Sequence, residues 1–192
     1  RGSGQPFPGP NSLDNTPETA KVINAISPEM TLRGAKPDIE NVQLRYPAPS
    51  VNVLGRKLGQ GTLQQREDQL FDVNLPAYMQ GEQIGETALT TRLNQIEATC
   101  ARDSKTPAVV LVGYSQGALV IHNVLRTVDT KHQTSIASLI AATVLIADPE
   151  RTQSSAVVNV GTATDGPSSN GICTEPGRLG IVFSCYPGSD NE

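Results

Sequence analysis

The stretch AVVLVGYSQGALVIHNVL, residues 108–125, changes from an unbroken apolar run to helical spacing at a serine between two glycines. A short apolar run is typical of a buried strand, and the residues after the serine repeat apolar positions as an amphipathic helix does. Gly113 and Gly117 lack the side chains that would collide at a sharp strand-to-helix turn. The stretch therefore predicts a strand, a tight turn at Ser115 and a helix over residues 115–128.

The rest of the chain continues this alternation of strands and helices. N-cap chemistry and apolar spacing predict helices near residues 17–27 and from Tyr78 to Ala101. Further strands are predicted at ENVQLRYPA, LIAATVLIAD and RLGIVFSCYPG. Apolar strands separated by helices indicate an α/β fold with three layers, in which a central parallel sheet is covered by helices on both faces. We expect one such domain over residues 1–192.

Composition and charge argue against several classes of partner. The chain has 15 basic and 19 acidic residues, a net charge of −4 and no run of Lys or Arg. Neither a nucleic acid nor an anionic membrane is therefore an expected partner. No stretch approaches the roughly 20 apolar residues that cross a bilayer. The spacing of the three cysteines, Cys100, Cys173 and Cys185, does not fit a zinc site.

Ser115 has two interpretations. The predicted turn would hold its Oγ clear of the carboxyl end of the sheet, where the first N–H groups of the following helix favour negative charge. A serine in that position is typical of a catalytic nucleophile. Alternatively, Ser115 is only the N-cap of the helix. The strand-turn-helix context favours the nucleophile.

Several stretches, in order, resemble the cutinase family of serine esterases, including its actinobacterial and phage-lysin relatives. They are RGSGQ at 1–5, YPA at 46–48, VLVGYSQGA at 110–118, VLIADP at 144–149 and FSCYPGSD at 183–190. The resemblance implies a small α/β hydrolase that cleaves carboxylic esters of small-molecule, lipid or polyester substrates, in water or in transient contact with a lipid surface. It also implies a secreted monomer that uses no metal and no other cofactor.

The resemblance assigns roles to individual residues. Ser115 matches the nucleophile, the backbone N–H of Gln116 matches one half of the oxyanion hole, and Ser3 matches the other half. Without the family motif, the loop around Ser3 would read as a flexible start of the chain.

The acid of the catalytic triad has two candidates. Asp190 matches the family position, although the family pattern has aspartate directly after the glycine, where this chain has Ser189. A one-residue insertion would restore the match. Asp148 lies at the carboxyl end of another predicted strand and is the alternative, unless it only caps a turn before Pro149.

The general base is harder to assign. A serine nucleophile needs an adjacent base, usually an imidazole oriented by a carboxylate, and the chain contains only His122 and His132. His122 lies about 10 Å along the helix from Ser115, so we expect a half-buried, hydrogen-bonded histidine that points away. His132 is expected in a solvated link. In the family the histidine follows the acid, so the resemblance places it beyond Glu192 and predicts that these 192 residues alone are inactive.

The resemblance further implies a first strand before RGSGQ, which in relatives carries the cysteine that pairs with the position of Cys100. We therefore expect residues 1–192 to be part of a longer chain. Cys173 departs from the family arrangement. It could pair with Cys185, remain a free thiol or form an additional bridge.

Two other functions fit the same sequence. The chain could be a catalytically inactive relative that binds lipid or cell-wall polymer, or it could use Ser115 for mycolyl-ester cleavage or acyl transfer. Residues 47–76 show no helix or strand pattern and are long for a loop. Because they follow a predicted strand, their QLFDVNLPAY stretch could line an acyl groove at the rim, or the whole segment could be a solvated insertion.

Overall fold

The computed structural model describes residues 2, 5, 16–32, 46–48, 75–103, 108–152, 158 and 170–171. In these residues the elements are α1 (Pro17–Leu32), α2 (Leu75–Arg102), β1 (Val109–Tyr114), α3 (Gln116–Thr130), α4 (Thr134–Leu139) and β2 (Ile140–Ile146). The predicted strand at RLGIVFSCYPG lies outside the described residues, as does most of the 47–76 segment. Of the predicted ENVQLRYPA strand only residues 46–48 are described, and they belong to neither a helix nor a strand.

The two described strands pair in parallel, as predicted. The register starts with Val109 opposite Ile140 and ends with Tyr114 opposite Ile146, with one irregularity between Val109 and Val110. Parallel neighbours need a crossover connection, because the chain must return to the same end of the sheet. Helices α3 and α4 provide this connection, which confirms the α/β class.

The apolar core lies where α2, α3 and β1 meet. Apolar side chains of α3 recur at helical spacing and pack against Leu89 and Leu93 of α2 and Leu111 of β1. The buried cluster consists of Tyr46, Ala48, Leu89, Leu93, Leu111, Val120, Ile121, Val124, Val128 and Ile136. Each large member stabilises the fold by about 1.5–3 kcal/mol relative to an exposed side chain. This core holds the end of β1 and the start of α3 in fixed positions.

The helices differ from the predictions at two places. α1 continues through Pro28 to Leu32 instead of ending near residue 27. Proline leaves the carbonyl four residues earlier without its helical donor, and that residue, Asn24, is exposed, so water can replace the donor. The chain also forms α4 directly before β2, where no helix was predicted.

The strands are less buried than their composition predicts. Val110 is 37% exposed, and Ala141 and Ala142 in β2 are exposed as well. Successive side chains of a strand face opposite sides of the sheet, so Val110 and its partner Ala142 lie on one side and Ala141 lies on the other. The described helices therefore leave a part of each side uncovered. Among the described residues, no helix combines the length and the apolar character needed to cross a membrane.

Candidate active site

Ser115 lies at the sharp corner between β1 and α3, as predicted. Its backbone has φ 52° and ψ −117°, a conformation that residues with a side chain rarely adopt and that is common at functional corners. Gly113 makes the corner possible. A Cβ atom there would lie 2.6 Å from the carbonyl oxygen of Gly117 and 2.8 Å from the Cα of Ala118, so any larger residue would separate the strand from the helix.

Backbone hydrogen bonds fix the corner on both sides. The N–H of Ser115 donates to the carbonyl of Ile146 in β2 at 2.8 Å. The carbonyl of Ser115 accepts from the N–H groups of Ala118 at 2.8 Å and Leu119 at 3.1 Å. The N–H groups of Gln116 and Gly117 precede this first hydrogen-bonded turn, so they carry the positive end of the α3 dipole beside the serine.

The N-cap interpretation of Ser115 does not fit the structure. The Ser115 side chain makes no capping hydrogen bond to the first turn of α3, and the residue is half-buried. A capping serine would instead accept a hydrogen bond from one of the N–H groups two or three residues later. The hydroxyl is therefore not used for capping the helix.

The side chain of Gln116 fastens the start of α3 to α2. It is completely buried, and its Nε2 donates to the backbone carbonyl of Tyr78 at 3.1 Å. Its Oε1 is buried without a hydrogen-bond partner. The backbone N–H of Gln116, predicted as an oxyanion-hole donor, is thus attached to a residue whose side chain cannot move without disturbing the contact between two helices.

Gly2, near the amino terminus of the sequence, lies next to the serine. Gly2 is buried, and a Cβ atom on it would lie 2.6 Å from the Tyr114 ring and 3.3 Å from the Cβ of Ser115. Ser3, predicted as the second oxyanion-hole donor, and Asp190, predicted as the acid, lie outside the described residues. Their roles stay predictions, but the residue before Ser3 is adjacent to the nucleophile position.

His122 and Asp148 form a pair, so Asp148 does not stand free at the rim. The Nδ1 of His122 lies 2.8 Å from the Oδ2 of Asp148, and the His122 side chain is 29% exposed. The hydrogen bond to Asp148 raises the pKa of His122, although burial opposes this. Asp148 Oδ1 also accepts from the N–H of Glu150 at 3.0 Å, so it caps a turn as well. His132 is exposed at the far end of α3.

His122 and Asp148 belong to a larger polar cluster, whose second pair was not predicted. Glu150 pairs with Arg126, and its Oε2 lies 3.6 Å from the Nε2 of His122. The loop after β2 is therefore joined to α3 by two pairs, His122 with Asp148 and Arg126 with Glu150. Neither is visible in the sequence, because the partners are 24 and 26 positions apart and belong to no known short motif.

Buried carboxyl groups of α2 extend the cluster. Glu82 is 1% exposed, and the Nδ2 of Asn123 donates to Glu82 at 2.5 Å and to Glu86 at 2.8 Å. Burial, with the charge of Glu86 as the next cause, raises the pKa of Glu82 to about 8. Burial also raises the pKa of Glu86. Because burial and the neighbouring Glu86 both disfavour its charged form, Glu82 is protonated at neutral pH.

The apolar residues that recur at helical spacing along α2 predict its buried face, and this prediction is only partly correct; they are Ile84, Ala88, Leu89, Leu93 and Ile96. Leu89 and Leu93 are buried, whereas Ile84 is 41% exposed. The buried residues of its amino-terminal half are Gly81, Glu82 and Gly85. Of these, Gly85 lies against Val120 of α3 and Glu82 accepts a hydrogen bond from Asn123. Cys100, near the end of the same helix, is half-buried and forms no disulfide with another described residue. In the described ranges no group of three potential ligands could hold a metal ion.

Comparison with known proteins gives one result. A family model described as Cutinase matches residues 26–176, which is most of the chain. The match includes Ser115 and Gln116 but not Ser3 or Asp190. No curated protein and no solved structure matches the chain.

Proposed function

Because the chain belongs to the cutinase family, a family of ester hydrolases with the α/β hydrolase fold, we propose that it hydrolyses carboxylic esters with Ser115 as the nucleophile. The observation that carries the proposal is the corner at Ser115. A non-glycine residue with φ 52°, held between a parallel strand and a helix and not used as a cap, has the geometry expected of a nucleophile elbow.

In the proposed reaction Ser115 Oγ attacks the acyl carbonyl carbon, and its proton passes to a base. The carbonyl π electrons move onto the oxygen, and this oxyanion is stabilised by the backbone N–H of Gln116 and by a donor from Ser3. Collapse of the intermediate breaks the ester C–O bond, and the alcohol leaves with the proton. Water then cleaves the acyl-enzyme by the same steps. Each oxyanion-hole donor is expected to lower the barrier by about 3–4 kcal/mol.

Neither histidine of residues 1–192 is the base that we propose for Ser115. The sequence has two histidines. His122 is held by Asp148 about 10 Å along α3 from Ser115, and His132 is exposed near the other end of the helix. Asp190 stays the proposed acid that orients the base. Asp148 is the weaker candidate, since its two oxygens are used by His122 and by the N–H of Glu150.

The proposed substrates are small-molecule, lipid or polyester esters, and we propose that the protein is a secreted monomer that uses no cofactor. These points rest on what is usual for members of the cutinase family. Two alternatives keep the same fold. An inactive relative would bind lipid or polymer without turnover, and a transferase would pass the acyl group from Ser115 to an alcohol instead of water.

The test is turnover of p-nitrophenyl butyrate by the full-length protein and by its Ser115→Ala variant. We expect the variant to lose at least about 1,000-fold in kcat, because no other group can form the acyl-enzyme. Ser138→Ala is the matched control, since Ser138 is exposed on α4 and its hydroxyl donates to the carbonyl of Ser135, in the same helix, at 2.7 Å. Retained turnover in Ser115→Ala would refute the assignment. Release of an ester product in the presence of an alcohol would favour the transferase.

A further inference from the structure

Two hydrogen bonds join Gly2 to Gln5, the residues on either side of positions 3 and 4. The N–H of Gln5 donates to the carbonyl of Gly2 at 3.3 Å. In the opposite direction, the N–H of Gly2 donates to the side-chain Oε1 of Gln5 at 2.8 Å. The Gln5 side chain thus closes a ring with the backbone of Gly2, and the separation of these two residues is fixed.

The same side chain connects this ring to α1. Its Nε2 donates to Oε2 of Glu18 at 2.8 Å. Because a carboxylate is the acceptor, this is a charge-assisted bond, which is about twice as strong as a neutral one. The hydrogen bond from Gln5 is the largest cause of a lowered pKa at Glu18, so Glu18 is ionised at neutral pH.

Glu18 is itself held in place. It lies in the first turn of α1, where a negative charge is favoured by the helix dipole. The same turn is fixed by the hydroxyl groups of Thr16 and Thr19, which lie 3.0 Å apart, and by the bond from Thr19 Oγ1 to the carbonyl of Thr16 at 3.1 Å. α1 in turn lies against β1. Glu18 is therefore a fixed point relative to the strand that ends at Ser115.

The other side of the ring touches the nucleophile corner. Gly2 is so close to Tyr114 and Ser115 that a methyl group would overlap the Tyr114 ring, at 2.6 Å. Gly2 is thus held from two directions, by the corner on one side and by Gln5 and Glu18 on the other. Among the contacts between described residues, releasing Gln5 would leave Gly2 with its contact to the corner.

We propose that Gln5 and Glu18 are positioning residues for ester hydrolysis, which hold the amino-terminal segment against the Tyr114–Ser115 corner. The inference rests on the proposed function and deepens it, since position 3, between the two joined residues, is the proposed second donor of the oxyanion hole. Neither side chain touches the substrate. Their effect is on the transition state, because the donor is needed only when negative charge develops on the carbonyl oxygen.

The test is an exchange of the two side chains in the full-length protein. In Gln5→Glu, the new carboxylate still accepts from Gly2 but meets the Glu18 carboxylate and cannot donate. In the double variant Gln5→Glu with Glu18→Gln, the amide at position 18 donates to the carboxylate at position 5, so the connection is restored with the same net charge as the parent. Gln95→Glu, an exposed position on α2, controls for the added charge.

We expect kcat for p-nitrophenyl butyrate to fall about 10- to 100-fold in Gln5→Glu, as for a misplaced catalytic donor, with KM changed less than about threefold. The double variant should recover to within about threefold of the parent, and Gln95→Glu should not differ from it. An unchanged kcat in Gln5→Glu would overturn the proposal. So would a double variant as slow as Gln5→Glu while both unfold at the same temperature as the parent.

A second measurement separates this inference from the proposed function. Hydrogen exchange of the peptide covering residues 1–16, read by mass spectrometry, should accelerate at least about fivefold in Gln5→Glu and return in the double variant, because opening of the ring exposes its N–H groups. If Ser115→Ala retains turnover while exchange behaves in this way, the nucleophile is wrong and the connection is right. Unchanged exchange in Gln5→Glu would overturn the connection itself.

Discussion

Replacing Glu82 by Gln should make the protein more stable at alkaline pH and change little at acid pH. Glu82 is buried on α2 beside Asn123 and Glu86, and its pKa is raised to about 8. Glutamine has the same shape, and its carbonyl oxygen can accept the hydrogen bond from Asn123. It lacks the ionisation, so the substitution isolates the effect of one proton.

The magnitude follows from linkage between protonation and folding. In the unfolded chain Glu82 releases its proton near 4.5, whereas in the folded protein it retains the proton up to about 8. Since the folded state binds more protons in this window, the free energy of unfolding falls as pH rises from 4.5 to 8. At about 1.4 kcal/mol for each unit of pKa difference, the free energy of unfolding falls by at most about 5 kcal/mol over this range. Because Glu82 and Glu86 are neighbours and titrate together, the effect of Glu82 alone is smaller than this limit. We expect the free energy of unfolding to fall by at least about 2 kcal/mol.

The assay is urea unfolding of the parent and of Glu82→Gln at a series of pH values from about 5 to 8.5. The difference in unfolding free energy should increase in favour of the variant across this range. Glu97→Gln, about four turns further along α2, is the control and should follow the parent. Parallel curves for Glu82→Gln and its parent would refute the reasoning, since they would mean that Glu82 is ionised in the folded protein.

Two other substitutions test the corner and the loop after β2. Gly113→Ala should reduce kcat/KM about 100-fold and destabilise the protein by about 1–3 kcal/mol, because the added methyl would lie 2.6 Å from the carbonyl oxygen of Gly117; normal kinetics and stability would mean that strand and helix are not in close contact. Asp148→Asn should lower the pKa of His122, measured by NMR titration of the ring, because the hydrogen bond to Asp148 is the main cause of its raised value. The stability that protonated His122 contributes is complete below about pH 6.5 and disappears as pH rises through its pKa in the folded protein. The loss of stability in Asp148→Asn should therefore be greatest at about pH 5.5. An equal loss at about pH 9 would contradict the pairing of His122 with Asp148.

The corner at Ser115 could be predicted because its determinants are local. An apolar run specifies β1, and glycines two positions before and two after the serine allow the turn. The parallel pairing of β1 with β2 followed from a helical connection between two apolar strands, since such strands have few alternatives. The local structure of this corner therefore depends on a few residues that are adjacent in the sequence.

The polar cluster could not be predicted, because its partners come from different elements. Glu82 is a polar residue on an amphipathic helix, and the helical pattern alone suggests that Ile84 is buried in preference to it. The burial of Glu82 depends on its hydrogen bond from Asn123, 41 positions away. The hydrogen bond from Gln5 to Glu18 could not be predicted for the same reason, since it joins a residue outside any helix or strand to a helix residue 13 positions later. Propensity and periodicity carry no information about such contacts.

Strain at Ser115 is compensated by rigidity around it. A backbone with φ 52° costs on the order of 1–3 kcal/mol and persists only where neighbouring contacts determine it. The hydrogen bond from Ser115 to Ile146, the buried Gln116 side chain and the apolar core under α3 are such contacts. The fold thus stabilises the strained backbone of the residue that we propose as the nucleophile.

Mass spectrometry of the full-length protein after reaction with diethyl p-nitrophenyl phosphate tests the central claim most directly. This reagent phosphorylates an activated serine and releases p-nitrophenol, but the product is hydrolysed too slowly to turn over. We expect one diethylphosphoryl group per chain, located on Ser115, with loss of ester turnover in proportion to labelling. Inactivation with the group on another residue, or an active protein with Ser115 fully modified, would contradict it.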